Sequence, residues 1–204
     1  MTIRKITAED WPQVYEMYLG HNSYHGLPKQ AAFHHHNIDE WNKKWHDGYL
    51  NALLANYPNV IWFGDVVDDI IHTVVQIELW TTEEGKRVAT NGQYISNKKV
   101  DLAKTFGQKY WPDSIINVSN HAVNYIEQNG IDTIYATRRG ITANFDGWLP
   151  LYVLPQSKLS HYTCDLVEHI PAGEYATDPY IQRHVNKVLK SIAQSVYKLT
   201  KPVS

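Results

Sequence analysis

With 204 residues, 43% of them hydrophobic and 20% charged, the chain has an ordinary globular composition and length enough to bury a core in one domain. A formal net charge of −2 argues against a nucleic-acid track or an anionic membrane surface, and Lys43-Lys44 and Lys98-Lys99 are read as solvated pairs. The lone cysteine, Cys164, excludes an intramolecular disulfide and points to a reducing, cytoplasmic setting, while no apolar run is long enough to span a bilayer.

Ile3 to Ile6 reads as a short strand. Thr7-Ala-Glu-Asp10 follows with the form of a capping box, and Pro12 falls in a first helical turn that tolerates it. Trp11, Val14, Tyr15 and Tyr18 give this helix its apolar side, and Gly20 to Gln30, with two Gly and a Pro, is expected to be a loop. A second helix is capped by Asn37 and Glu40; Ile38, Trp41, Trp45, Tyr49 and Leu53 recur at three- and four-residue intervals until Asn56-Tyr-Pro58.

Two β-rich runs, Val60–Val67 and Ile70–Trp80, flank Asp68-Asp69, which predicts a hairpin with a tight acidic turn. Strict alternation in the second run puts Ile71, Thr73, Val75, Ile77 and Leu79 on one face and His72, Val74, Gln76, Glu78 and Trp80 on the other. Thr81 to Lys86 reads as a polar loop and Arg87 to Ser96 as a further strand. A helix then begins at Asp113 or Ser114, buries Ile115, Ile116, Val118, Ala122, Val123 and Ile126, and stops at Asn129-Gly130. Ile131–Thr137, Gly147–Leu154 and Leu159–Ile170 are the remaining expected strands. After Asp178-Pro179, the stripe Ile181, Val185, Val188, Ile192, Val196 and Leu199 predicts a C-terminal amphipathic helix. The expected division is therefore one domain over 1–177 and a helix over 178–204 packed on that domain or on a partner.

The opening Ile3-Arg4 … Thr7-Ala8-Glu9-Asp10-Trp11, with the order strand, helix, helix, hairpin, strand, helix, strand, strand pair, resembles the GNAT-type N-acetyltransferases over roughly Thr2 to Ile170. The resemblance implies an α/β (α+β) fold, a mixed and mostly antiparallel sheet flanked by helices, and acetyl-CoA as cofactor. That family holds the cofactor's pyrophosphate in a Gln/Arg-x-x-Gly-x-Gly/Ala loop after its fourth strand. Here Asn97 to Trp111 contains one glycine, Gly107, and no copy of the motif, so the cofactor site departs from the family pattern. Small virus-encoded proteins with a GNAT-like core also look similar, including the late strand followed by Glu168-His-Ile-Pro171.

On that resemblance, Tyr94, Ile95, Ser96, Gly107 and Gln108 are the cofactor-binding candidates, Glu78 the base for an acceptor amine and Tyr152 the acid for the thiolate. The acceptor would be an amine-bearing small molecule or protein. The competing expectation is a non-catalytic structural or interaction protein, virus-encoded in one version, that reuses the fold in a homo-oligomer or larger assembly. His21, His25 and His34-His35-His36 carry no complete metal-ligand motif and are read as polar loop, with no metal site assigned. Arg138-Arg139-Gly140 closes a strand where two guanidinium groups can meet an anion. Seven Trp and fourteen Tyr supply rings for a surface or groove without naming its ligand. No Walker loop, nucleophile elbow or dinucleotide fingerprint is present.

Overall fold

The computed structural model describes residues 2–24, 38–97, 113–139, 155–171, 174, 177 and 194–202. Along the chain these form β1 (Thr2–Lys5), α1 (Trp11–Tyr24), α2 (Ile38–Leu54), β2 (Val60–Val67), β3 (Ile70–Thr81) and β4 (Arg87–Ser96). Then come α3 (Asp113–Gln128), β5 (Thr133–Arg139), a 3-10 turn over Lys158–His161, β6 (Thr163–Ile170) and β7 (Gln194–Thr200). The strands make one seven-stranded sheet in the order β1-β2-β3-β4-β5-β7-β6. β4 and β5 pair in parallel; the other neighbours are antiparallel.

The entry to α1 is fixed by Asp10. Its carboxylate accepts the Thr7 backbone N–H at 2.9 Å and two guanidinium bonds from Arg4 at 2.7 and 2.8 Å, so the capping residue also ties the helix back to β1. Trp11, Val14, Met17 and Tyr18 then turn inward against Trp62, Val66, Ile71, Val74 and Ile95, with Tyr49, Leu50 and Leu53 of α2 packed alongside. Gly20 to Tyr24, expected in a loop, continues α1 instead. A single glycine inside a helix costs only about 1 kcal/mol, which the packed first three turns outweigh. Asn56, at φ 49°, ends the second helix in the left-handed position that stops helices.

The β2–β3 turn has Asp68 and Asp69 at φ 49° and 61°, the two left-handed residues of a type I′ hairpin. Beyond it, strict alternation fails at one point. Asp65 pairs with Thr73 but Val66 pairs with Ile71, so His72 is an extra, bulged residue. Ile71 consequently lies with Val74 against α1, not with Val75, Ile77 and Leu79, which face α3. Both faces of the hairpin are buried, so the aliphatic and mixed faces carry separate cores.

On the α3 side, Ile115, Ile116, Val118, Ala122, Val123 and Ile126 are buried as their spacing predicts, against Ile61, Phe63, Val75, Ile77, Leu79, Ala89 and Ile134. At roughly 1.5–3 kcal/mol for each large aliphatic side chain removed from water, this helix supplies much of the sheet's cover. Gly130, at φ 71°, terminates it.

The C-terminal region corrects the sequence reading. Val196 and Leu199, expected on a helix, belong to β7, which lies between β5 and β6 and pairs with both. Both residues are fully buried, as a strand covered on both faces requires. An apolar spacing of three is compatible with a helix, and pairing with β5 and β6 overrides it. The rest of that expected helix, residues 178–193, and the expected strand Gly147–Leu154 are not among the described residues. The expected strand Leu159–Ile170 is shortened by the 3-10 turn, whose Ser157 cap accepts from the Leu159 N–H.

Candidate functional site

The sheet opens between β4 and β5. Their parallel pairing covers Ala89–Ile134, Thr90–Tyr135 and Asn91–Ala136 only, although β4 runs on to Ser96 and β5 to Arg139. The divergence begins where β4 gains a residue. Val75 pairs with Tyr94 but Ile77 with Asn91, leaving Gly92 and Gln93 opposite Gln76. A bulge increases local twist and bends the strand, and a glycine within it relieves crowding as another backbone approaches. The β5-facing backbone of residues 92–96 is thus set apart from the β4–β5 ladder, at the end of a wedge in the middle of the sheet. Such an edge can hold an extended, amide-bearing arm as a further strand.

Among the sequence candidates, Tyr94, Ile95 and Ser96 all lie on this stretch. Their side chains go elsewhere. Tyr94 is buried with its hydroxyl 3.1 Å from Ser119 Oγ of α3, and Ile95 is buried against the α1 side. Ser96 is half-buried opposite Thr73. The end of the strand is secured by Asn97, whose N–H donates to the His72 carbonyl at 2.7 Å and whose Nδ2 donates to the Ile71 carbonyl at 2.9 Å. What these residues can offer a ligand is mainly backbone. Gly107, Gln108 and Tyr152 lie outside the described residues.

Glu78 stands opposite Thr90, one residue from the last row of β4–β5 pairing, on the α1–α2 face. It is half-buried, and its charge adds to the burial that pushes the phenol of Tyr49 up to about 12. Tyr49 therefore stays a proton donor at neutral pH. Beside this pair, Trp80 Nε1 donates to Thr90 Oγ1 at 2.7 Å, and the Trp80 and Tyr135 rings lie 5.6 Å apart between centroids. A carboxylate, a phenol, a hydroxyl and two aromatic rings thus adjoin the mouth of the wedge. Glu78 is a candidate from sequence alone, whereas Tyr49 stands there only in a helical stripe and Trp80, Thr90 and Tyr135 carry no role. Their juxtaposition depends on the pairing register of three strands, which no local pattern encodes.

Other expectations separate from the wedge. His21 lies in α1, and His25 and His34 to His36 are outside the described residues. No group of three or more metal-ligating side chains occurs among the described residues. Arg138 and Arg139 end β5, opposite Ser195 and Gln194 of β7. Cys164 is half-buried, and burial with Asp165 beside it raises its thiol above the ordinary value, which disfavours the thiolate. No described helix is long and apolar enough to cross a membrane.

No family model matches the sequence. A search of curated proteins likewise finds no match. Solved structures do match. An N-acetyltransferase from Staphylococcus aureus Mu50 superposes with a TM-score of 0.56 at 8% identity, covering 98% of this chain and 97% of its own. A ribosomal-protein-alanine N-acetyltransferase from Brucella melitensis gives 0.56 at 5% identity, with 98% and 99% covered. A PaiA N-acetyltransferase from Thermoplasma acidophilum, solved in complex with coenzyme A, gives 0.54 at 12% identity, with 96% of each chain covered. None of these three is a virus protein. At such identities the likeness is one of fold, and over nearly its whole length this chain has the GNAT-type N-acetyltransferase fold.

Proposed function

We propose that the protein is an acyl-CoA-dependent N-acyltransferase acting on an amine-bearing small molecule or protein. The observation that carries this reading is the wedge: a bulged β4 that parts from β5 after three paired rows, with Glu78 one row away. The backbone of Gly92 to Ser96 would hold the amide-bearing arm of acetyl-CoA, which supplies an activated acyl thioester when bound. Glu78 takes the proton from the acceptor amine, which must be neutral to attack. Tyr152 keeps the role of acid that the family resemblance implies. Trp80 and Tyr135 form an apolar wall beside Glu78 and exclude water from the amine. A reducing, cytoplasmic setting belongs to the same reading.

One observation favours a second reading. The stretch Asn97 to Trp111 has a single glycine where related acetyltransferases carry a glycine-rich phosphate loop. On that reading the wedge is kept without acyl transfer, and the protein serves an assembly.

Isothermal titration with acetyl-CoA, paired with melting curves, separates the two. The enzyme reading expects saturable heat and a raised melting temperature. It also expects Glu78→Gln to retain binding while acyl transfer to an amine falls about a hundredfold or more. No heat and no melting shift at millimolar acetyl-CoA would sink it.

A further inference from the structure

A second polar site lies on the opposite face of the sheet from Glu78. Asp65 on β2 pairs with Thr73 on β3, and Thr73 pairs with Ser96 on β4, so the three side chains stand in one row on the face covered by α3. Ser114, in the first turn of α3, donates its hydroxyl to Thr73 Oγ1 at 3.0 Å and closes the row from above. Asp65 is 1% exposed and Thr73 2% exposed, yet among the described residues Asp65 Oδ1 has no hydrogen-bond partner. Ser96 and Ser114 are half-buried.

A buried carboxyl oxygen without a donor is costly and rarely retained without use. Its position is also constructed. The His72 bulge comes immediately after the Asp65–Thr73 pair, and Asn97 fastens that bulge to the end of β4, which holds Thr73 and Ser96 in register. We infer that Asp65, Thr73 and Ser114 form a binding site for a ligand's alkylammonium group. The sign of the ligand follows from the acids present. A helix N-terminus alone favours an anion, but here Asp65 lies beneath it and Asp113 occupies its first turn. The N–H donors follow from the acceptors: the aspartate takes one or two, and the Thr73 and Ser114 oxygens have lone pairs for others. The site is independent of the acyl-transfer reading and stands whether or not acetyl-CoA binds.

The test titrates ethylammonium chloride into the full chain, read by calorimetry and melting temperature. Sodium chloride, tetramethylammonium chloride and ethanol serve as controls for ionic strength, for a cation lacking N–H donors and for an uncharged analogue. Saturable stabilisation by ethylammonium alone is expected, weakened about tenfold or more in Asp65→Asn and several-fold in Ser114→Ala. The inference is overturned if ethylammonium gives no saturable response, if tetramethylammonium or sodium reproduces it, or if Asp65→Asn leaves it unchanged. Should Asp65→Asn fail to fold, Ser114→Ala decides, and unaltered affinity in that variant overturns the site.

Discussion

The carboxylate of Asp10 is held below its ordinary range, first by the hydrogen bonds from Arg4 and then, against the cost of burial, by Thr7. A carboxylate whose folded value is depressed stabilises the fold above its unfolded value near pH 4 and loses that contribution as pH falls through the folded one. Asp10→Asn is expected to cost about 1–2 kcal/mol at neutral pH, discounted because Arg4 is partly exposed. Urea unfolding of both proteins across the acid range should show the gap closing below about pH 4. Gly64 offers a second test. An added Cβ would stand 2.5 Å from Ile6 Cδ1, inside a packed core, so Gly64→Ala should destabilise by about 1–3 kcal/mol. Ile6→Val removes the clashing methyl, and the double variant should lose less than the two single losses added together, as denaturation of all four proteins would reveal. At this scale the sequence was partly legible. Thr7 to Asp10 announced the cap, but its bond to Arg4 and the crowding at Gly64 depend on partners brought in by pairing.

Among the elements, helices with a strong stripe and a clear stop were readable, and α3 is buried at every position its periodicity named. Strands were readable as runs but not in their irregularities. The two bulges, at His72 and at Gly92–Gln93, shift which side chains share a face, and they create the Asp65 row and the wedge. Nothing local marks an inserted residue when both faces are apolar. The hairpin turn is different, since its chemistry is local. Asp68 and Asp69 both adopt left-handed angles, where Asn and Gly are better suited. Asp68→Asn with Asp69→Gly should therefore raise stability by about 0.5–1 kcal/mol. The turn is also gripped from α1: Gln13 Nε2 donates to the Asp69 carbonyl at 3.0 Å and Gln13 Oε1 accepts the Ile71 N–H at 3.2 Å. Gln13→Ala should cost about 1–2 kcal/mol in a urea melt, since two backbone groups lose a shared partner.

For the whole molecule, the fold class followed from element order, whereas the last strand did not. Glu127 illustrates how the ends of this architecture are tied together. Burial alone would raise its carboxyl, but donors from Lys158, Tyr162 and Lys201 hold it below the ordinary value, joining α3 to the 3-10 turn and to the residue after β7. β7 itself pairs on one side with β5 and on the other with β6. Removing residues 194–204 should therefore leave an aggregating protein, which gel filtration would show; a chain that remained monomeric and melted cooperatively would contradict this. That same placement has a kinetic consequence. Thr133 must wait for Thr200, and until it arrives β5 is held to the sheet by three pairs with β4 while β6 has no strand beside it. The β1–β4 half with α1 and α3 rests on nearer contacts and is placed to assemble first, leaving the other side of the wedge to close in a late, slow step set by loop closure over that separation. During synthesis, the opening between β4 and β5 would thus be completed only after residues 194–200 have left the ribosome, well after β4 and β5 themselves.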